Sequence, residues 1–189
     1  MEAFFFSTLV VTLAEIGDKT QLLAFVLATR FKRPVPIILG ILAATLLNHG
    51  LAGSLGAYIT TLISPAMLRA ILAASFLGMA LWSLIPDKID EVETKPNLGV
   101  FGATFVSFFL AEMGDKTQIA TVALAANYAA PLLVIAGTTL GMLIADVPAV
   151  FVGQKFADKI SLPLVHKIAA LLFAVLGVLS AVDAWRLWQ

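Results

Sequence analysis

The string Glu15-Ile16-Gly17-Asp18-Lys19-Thr20-Gln21 returns almost unchanged as Glu112-Met113-Gly114-Asp115-Lys116-Thr117-Gln118, each time inside an apolar stretch long enough to cross a bilayer. A carboxylate at the centre of a spanning helix costs roughly 2.5–3.5 kcal/mol on the insertion scale, so four left unpaired cost on the order of 10 kcal/mol. Cations or protons must offset that. Charge placed twice at the same depth therefore points to an ion site.

The rest of the chain fits a lipid environment. Of 189 residues, 60% are hydrophobic and only 13% charged, and the mean hydropathy is +0.99, far from a soluble domain. The lipid bilayer is thus the first expected partner. With no cysteine, thiolate metal sites and iron–sulfur clusters are excluded, which leaves oxygen and imidazole ligands and favours hard ions. Zero net charge and no basic stripe interleaved with aromatics exclude a nucleic-acid footprint. The N-terminus, Met1-Glu2-Ala3-Phe4, lacks the basic region of a cleavable signal, so the first apolar segment reads as a retained helix.

Apolar stretches cover approximately residues 3–29, 35–63, 66–85, 99–126, 132–156 and 163–188, each meeting the length of about 20 residues that a span needs. The expected fold is all-α, an integral membrane protein of six transmembrane helices. Its expected parts are a three-helix repeat at 1–86, an acidic linker at 87–98 and a second three-helix repeat at 99–189. The halves align without gaps at an offset of 112 − 15 = 97, matching Leu13-Ala14 with Leu110-Ala111, Pro34 with Pro131, Gly40 with Gly137, Gly56 with Gly153 and Phe76 with Phe173. Three is an odd number of crossings, so the second copy is expected to be inverted, with both motifs near the midplane. Arg30, Lys32, Arg33, Lys88, Lys95, Lys155, Lys159 and Lys167 fall on one side, and only Arg69 and Arg186 on the other. The first side is expected to be cytoplasmic, which puts the linker inside and both termini outside.

On a continuous helix, Glu15 and Asp18 share a face that Gln21 extends by a turn, and Glu112, Asp115 and Gln118 do the same. Across a pseudo-twofold axis these residues would offer four carboxylates and two amide oxygens, a set suited to hard divalent cations. Gly17 and Gly114 allow close backbone approach or local unwinding. Lys19 and Lys116, at i+4 from the glutamates, are expected to pair with them within the same helix. Interhelical glue explains such residues poorly, since Ser or Asn would serve with less desolvation. A second layer is expected on the following helix of each half. There Gly40, Ala44 and Asn48, matched by Gly137, Gly141 and Ala145, form small-residue stripes for close packing. Beside them His49 and Asp146 occupy equivalent positions and stay open between proton handling, accessory ligation and polar glue. Pro148 frees a backbone carbonyl one turn before it. Asp158, Lys155, Lys159 and Asp183 read as interfacial.

Asp-Lys-Thr also begins the phosphorylation motif of P-type ATPases, but Gln follows here, no Walker loop is present and the string lies in an apolar span. The doubled Glu-x-Gly-Asp-Lys/Arg-Thr/Ser motif instead resembles the calcium/manganese cation:proton antiporters, a likeness that covers nearly the whole chain. The resemblance implies export of Mn²⁺, or Ca²⁺, from the cytoplasm in exchange for protons. The metal is then a transported substrate and no cofactor is required. It carries over onto Glu15, Gly17, Asp18, Lys19 and Thr20, and onto Glu112, Gly114, Asp115, Lys116 and Thr117, with Gln21 and Gln118 as further ligands. Asn48, His49 and Asp146 are accessory candidates. The short chain resembles bacterial members, which implies an inner membrane. Alternating access at one four-carboxylate site is the expected mechanism. A divalent-cation channel, a small-solute exporter of three-plus-three helices and an intramembrane metalloenzyme are the competing classes. The enzyme lacks a nucleophile or a His-rich ligand set. Mn²⁺ against Ca²⁺, the proton stoichiometry and a homodimeric partner stay open.

The Lys/Arg asymmetry sets a first test on a chain with no native cysteine. A cysteine replacing Gln189 should react with an impermeant thiol reagent applied to intact cells, while one replacing Glu91 should not. The reverse labelling pattern overturns the orientation.

Overall fold

A computed structural model describes residues 1–85, 98–152 and 162–189. Residues 87–97 of the expected linker, together with Lys155, Asp158 and Lys159, lie outside the described residues. All regular structure among those described is helical: α1 (Glu2–Glu15), α2 (Lys19–Phe31), α3 (Pro34–Leu62), α4 (Pro65–Trp82), α5 (Gly99–Glu112), α6 (Lys116–Asn127), α7 (Pro131–Val152) and α8 (Leu162–Trp188). Four of these are long and apolar enough to cross a membrane, at Pro34–Leu62, Pro65–Trp82, Pro131–Phe151 and Pro163–Trp188. Pro34, Pro65 and Pro131 begin α3, α4 and α7, where a missing N–H costs nothing and the fixed φ suits the first turn. Exposed Leu47, Leu51, Leu55, Leu140, Ile144 and Phe151 give α3 and α7 apolar outer surfaces, as a multi-pass membrane protein requires.

At both motifs the apolar stretch is interrupted, the local unwinding that Gly17 and Gly114 allow. The stretches at 3–29 and 99–126 are each two shorter helices, α1 with α2 and α5 with α6, interrupted at Ile16-Gly17-Asp18 and Met113-Gly114-Asp115. The cause is local: Gly17 and Gly114 take φ of +86° and +80°, a conformation that glycine adopts without the clash other residues meet.

Two apolar cores flank these interruptions. Val10 and Ala14 of α1 pack with Phe76 of α4, Ala120 and Leu124 of α6 and Phe173 of α8. Leu23 and Leu27 of α2 pack instead with Ile37 and Ile41 of α3, Phe108 of α5 and Ala149 of α7. The chain thus passes from the first core to the second through one motif and from the second to the first through the other. Each motif lies at the junction.

The helices of the two halves interlock. α1 packs along α7, and α5 along α3. The expected small-residue stripes are where this happens: Thr8 donates its hydroxyl to the Gly137 carbonyl at 3.0 Å and Thr12 to that of Gly141 at 3.3 Å. Numbers rise together along both helices, so α1 and α7 run parallel. On the matching contact, Gly40 faces Phe101 and Thr104, and Asn48 Nδ2 donates to the Phe109 carbonyl at 3.1 Å. Phe76 stacks on Phe173, with ring centroids 6.4 Å apart, where α4 meets α8. Arg69 of α4 donates to the side chain of Asn127 at the end of α6.

A Cβ at position 137 would lie 2.4 Å from the Phe4 carbonyl oxygen, whereas one at 50 meets nothing within 4 Å. Gly137→Ala should therefore destabilise the protein by about 1–3 kcal/mol, the cost of overpacking, while Gly50→Ala should stabilise it by roughly 0.5–1 kcal/mol through helix propensity. Melting in detergent followed by size-exclusion chromatography checks the contrast, and equal shifts would refute the close α1–α7 contact.

Candidate functional site

Each motif folds as a turn between two helix ends. Ile16 (φ −62°, ψ 116°) and Gly17 (φ +86°) occupy the two corners, and the Asp18 N–H closes the turn on the Glu15 carbonyl at 3.0 Å. Those values define a type II β-turn, whose second corner requires positive φ. The second copy has Met113 at φ −65°, ψ 115°, Gly114 at φ +80°, and Asp115 N–H to the Glu112 carbonyl at 3.1 Å. Asp18 and Asp115 then cap α2 and α6 in extended conformation, residues suited to a helix N-terminus. Four residues after each glycine a glutamine returns to it. Gly17 N–H donates to Gln21 Oε1 at 3.2 Å, and Gly114 N–H to Gln118 Oε1 at 2.8 Å.

This geometry changes two expectations. Glu15 and Asp18 do not lie on one continuous helical face; the glutamate ends one helix and the aspartate starts the next. The lysines do not pair with the glutamates at i−4. They cross instead to the other half: Lys19 Nζ lies 3.1 Å from Asp115 Oδ2, and Lys116 Nζ lies 2.9 Å from Asp18 Oδ1. The turn swings each lysine off its own helix-end glutamate and toward the opposite turn. Among the described residues no group of three or more His, Cys, Asp or Glu is drawn together as a metal-ligand cluster, and both aspartates face lysines of the opposite half.

The glutamates are held differently. Thr20 donates to Glu15 Oε2 at 2.7 Å and Thr117 to Glu112 Oε2 at 2.9 Å, a role for the motif threonines that sequence reasoning had not assigned. Both glutamates are buried, and their Oε1 atoms have no hydrogen-bond partner among the described residues. Gln21 and Gln118 face the second layer: Gln21 Nε2 donates to the Ala145 carbonyl at 2.9 Å and Gln118 Nε2 to Asn48 Oδ1 at 3.5 Å. Asp146 and His49 are fully buried, with no side-chain hydrogen bond among the described residues. Ion pairs and hydrogen bonds thus join the two motifs to each other, to Asn48 and to the Ala145 carbonyl, with His49 and Asp146 next to the last two in sequence.

Broken apolar helices that present buried acids to each other define the class of membrane-embedded ion carriers. Residues 3–91 and 100–188 each match the family described as "Divalent cation/proton antiporter GDT1". The chain is 51% identical to the "Putative manganese exporter" of Vibrio cholerae serotype O1 over 96% of this chain and 91% of that protein. It is 33% identical to "GDT1-like protein 4" of Oryza sativa subsp. indica, over 91% of this chain and 70% of that one. It is also 32% identical to "GDT1-like protein sll0615" of Synechocystis, covering 95% and 97%. No solved structure matches significantly. The chain belongs to the divalent cation/proton antiporter GDT1 family, a family of cation transporters and not of enzymes.

Replacing either turn glycine forces a Cβ into positive φ. Gly17→Ala and Gly114→Ala should each cost roughly 1–2 kcal/mol and lower export more than Gly50→Ala, although neither removes a charge. Full transport by both variants would show that the turn conformation is dispensable.

Proposed function

We propose that the protein exports Mn²⁺ from the cytoplasm in exchange for protons, through a site built from Glu15, Asp18, Glu112 and Asp115. The carrying observation is the pair of buried glutamates, each with one oxygen fixed by a threonine hydroxyl and the other without a partner among the described residues. A carboxylate oxygen in that position is costly unless a cation or a proton meets it. With both aspartates and both glutamates ionised and both lysines protonated, the site carries −4 + 2 = −2, which one divalent cation balances. Two protons balance it equally. Either species neutralises these four carboxylates and two lysines while Asp146 holds its proton, so the two can alternate without leaving residual charge in an apolar interior.

Six crossings in two inverted three-helix repeats support this cycle, each broken helix pair counting as one discontinuous span. The reading draws on the parallel packing of α1 on α7 and of α5 on α3, and on the opposite order in which the two broken pairs traverse the cores. Inverted repeats make inward-open and outward-open states approximate counterparts. The repeats are residues 1–86 and 99–189, both termini are periplasmic, and the membrane is the bacterial inner membrane. Mn²⁺ as the cargo follows the name of the Vibrio relative. The oxygen-only ligand set accepts Ca²⁺ as well. Gln21, Gln118 and Asn48 support the turns and lie within the layer as secondary ligands. Asp146 is an added proton or accessory group beside the glutamates.

Sealed proteoliposomes test the exchange. Mn²⁺ flux should follow an imposed pH gradient when voltage is clamped, and Glu15→Gln or Glu112→Gln should cut it by at least about tenfold, the scale of one lost charge interaction. Flux that follows voltage and ignores the pH gradient would sink the exchanger and favour a channel.

A further inference from the structure

The two ion pairs joining the halves are equivalent in sequence but not in setting. The Lys116 side chain is 3% exposed and its partner Asp18 is fully buried, whereas the Lys19 side chain is 30% exposed against a buried Asp115. The surrounding turns differ in the same sense. Met113 and Gly114 are exposed, while Ile16 and Gly17 are half-buried. The two aspartates are also held differently. Asp115 Oδ1 accepts from the Lys116 backbone N–H at 2.7 Å, capping α6, and the Asp18 side chain makes no such cap.

From this asymmetry we infer that Lys19 is a displaceable stand-in for the transported cation at Asp115, whereas Lys116 and Asp18 form a standing cross-link between the halves. The inference rests on the export reading above and divides its four carboxylates by task.

An ammonium is a compact point charge on a flexible stem. At 3.1 Å from Asp115 Oδ2, it fills the coordination position that a divalent cation would need, so the two exclude each other. The cap bond at Oδ1 fixes the Asp115 carboxylate, which leaves Oδ2 to choose between ammonium and metal without a change of rotamer. Lys19 can leave, because a partly exposed lysine can carry its head outward along its own stem. Lys116 cannot leave without moving a bare charge through protein while stranding a buried carboxylate, which is the costly way to break an ion pair. Lys19 therefore keeps Asp115 paired when no metal is present and yields to the metal when it arrives; the loaded site then carries −4 + 1 + 2 = −1, which one proton retained on a glutamate neutralises. The same competition speeds metal release, since the ammonium returns as the ion departs.

The absence of native cysteine allows a test within one folded protein, using purified full-length chain in nanodiscs and Mn²⁺ as the probe. Lys19→Cys should bind Mn²⁺ roughly tenfold more tightly than the wild type, the effect of removing one competing charge. Treatment with 2-aminoethyl methanethiosulfonate, which restores an ammonium on a stem of similar length, should return the affinity toward the wild-type value. A purely structural lysine would give weaker or unchanged binding on removal. As a second arm, Asp18→Lys combined with Lys116→Asp should recover Mn²⁺ binding lost in each single variant, while Lys19→Asp combined with Asp115→Lys should not. Unchanged or weaker binding by Lys19→Cys, or failure of the first swap to recover binding in correctly folded protein, overturns the inference while leaving export intact. Wild-type protein that neither binds nor moves Mn²⁺ overturns the export reading and this inference with it.

Discussion

A backbone interrupted inside an apolar layer must satisfy the N–H and C=O groups that the broken helix releases, and the rest of this structure depends on how the seven-residue motif does so. In hydrocarbon there is no water to accept those bonds, so irregular backbone survives only where protein supplies partners. Here the motif supplies its own. The turn hydrogen bond ties Asp18 to Glu15, the Gln21 amide accepts from Gly17, and Thr20 reaches back to the Glu15 carboxylate. Glutamate, glycine, aspartate, threonine and glutamine are thus each fixed by a bond that the turn needs. The lysine side chain is left to act at a distance, and it does so across the halves.

That division explains which features could be read from the chain. Span positions for α3, α4, α7 and α8 followed from apolar length, and the small-residue stripes at Gly40 and Gly137 lie where helices from opposite halves meet. The glycine in each motif signalled either close approach or unwinding, and a type II turn is the second of these. Continuous periodicity misled because a three-residue interruption leaves the apolar composition of the stretch unchanged. Nothing in spacing alone separates an i,i+3 pair on one helix from a glutamate that ends one helix and an aspartate that begins the next.

The lysine partners were illegible for a different reason. At i+4 from a glutamate, Lys19 has an intrahelical option that any helix offers, and choosing Asp115 instead depends on where the other half places its turn. Such a contact spans 96 residues of sequence and exists only after the halves interlock. The threonine hydroxyls are the opposite case. Thr20 and Thr117 lie five residues from their glutamates, a spacing that no regular helix brings together but that a turn between two helices does.

Where the halves differ is as informative as where they agree. Gln21 meets a backbone carbonyl at Ala145, but Gln118 meets the side chain of Asn48 at the equivalent position. One residue further on, His49 stands where the other half has Asp146, and both are fully buried. In the proposed cycle, charge accounts for a single acid at this position. An acid at both places would add two negative charges to a layer whose four carboxylates and two lysines already match one divalent ion in the proposed cycle. A single acid adds one, which one proton can hold or release beside the metal. A duplicated fold can therefore keep the same turn conformation in both halves, since it is dictated by backbone satisfaction, while the neighbouring residues diverge, in the proposed cycle setting the charge beside the site.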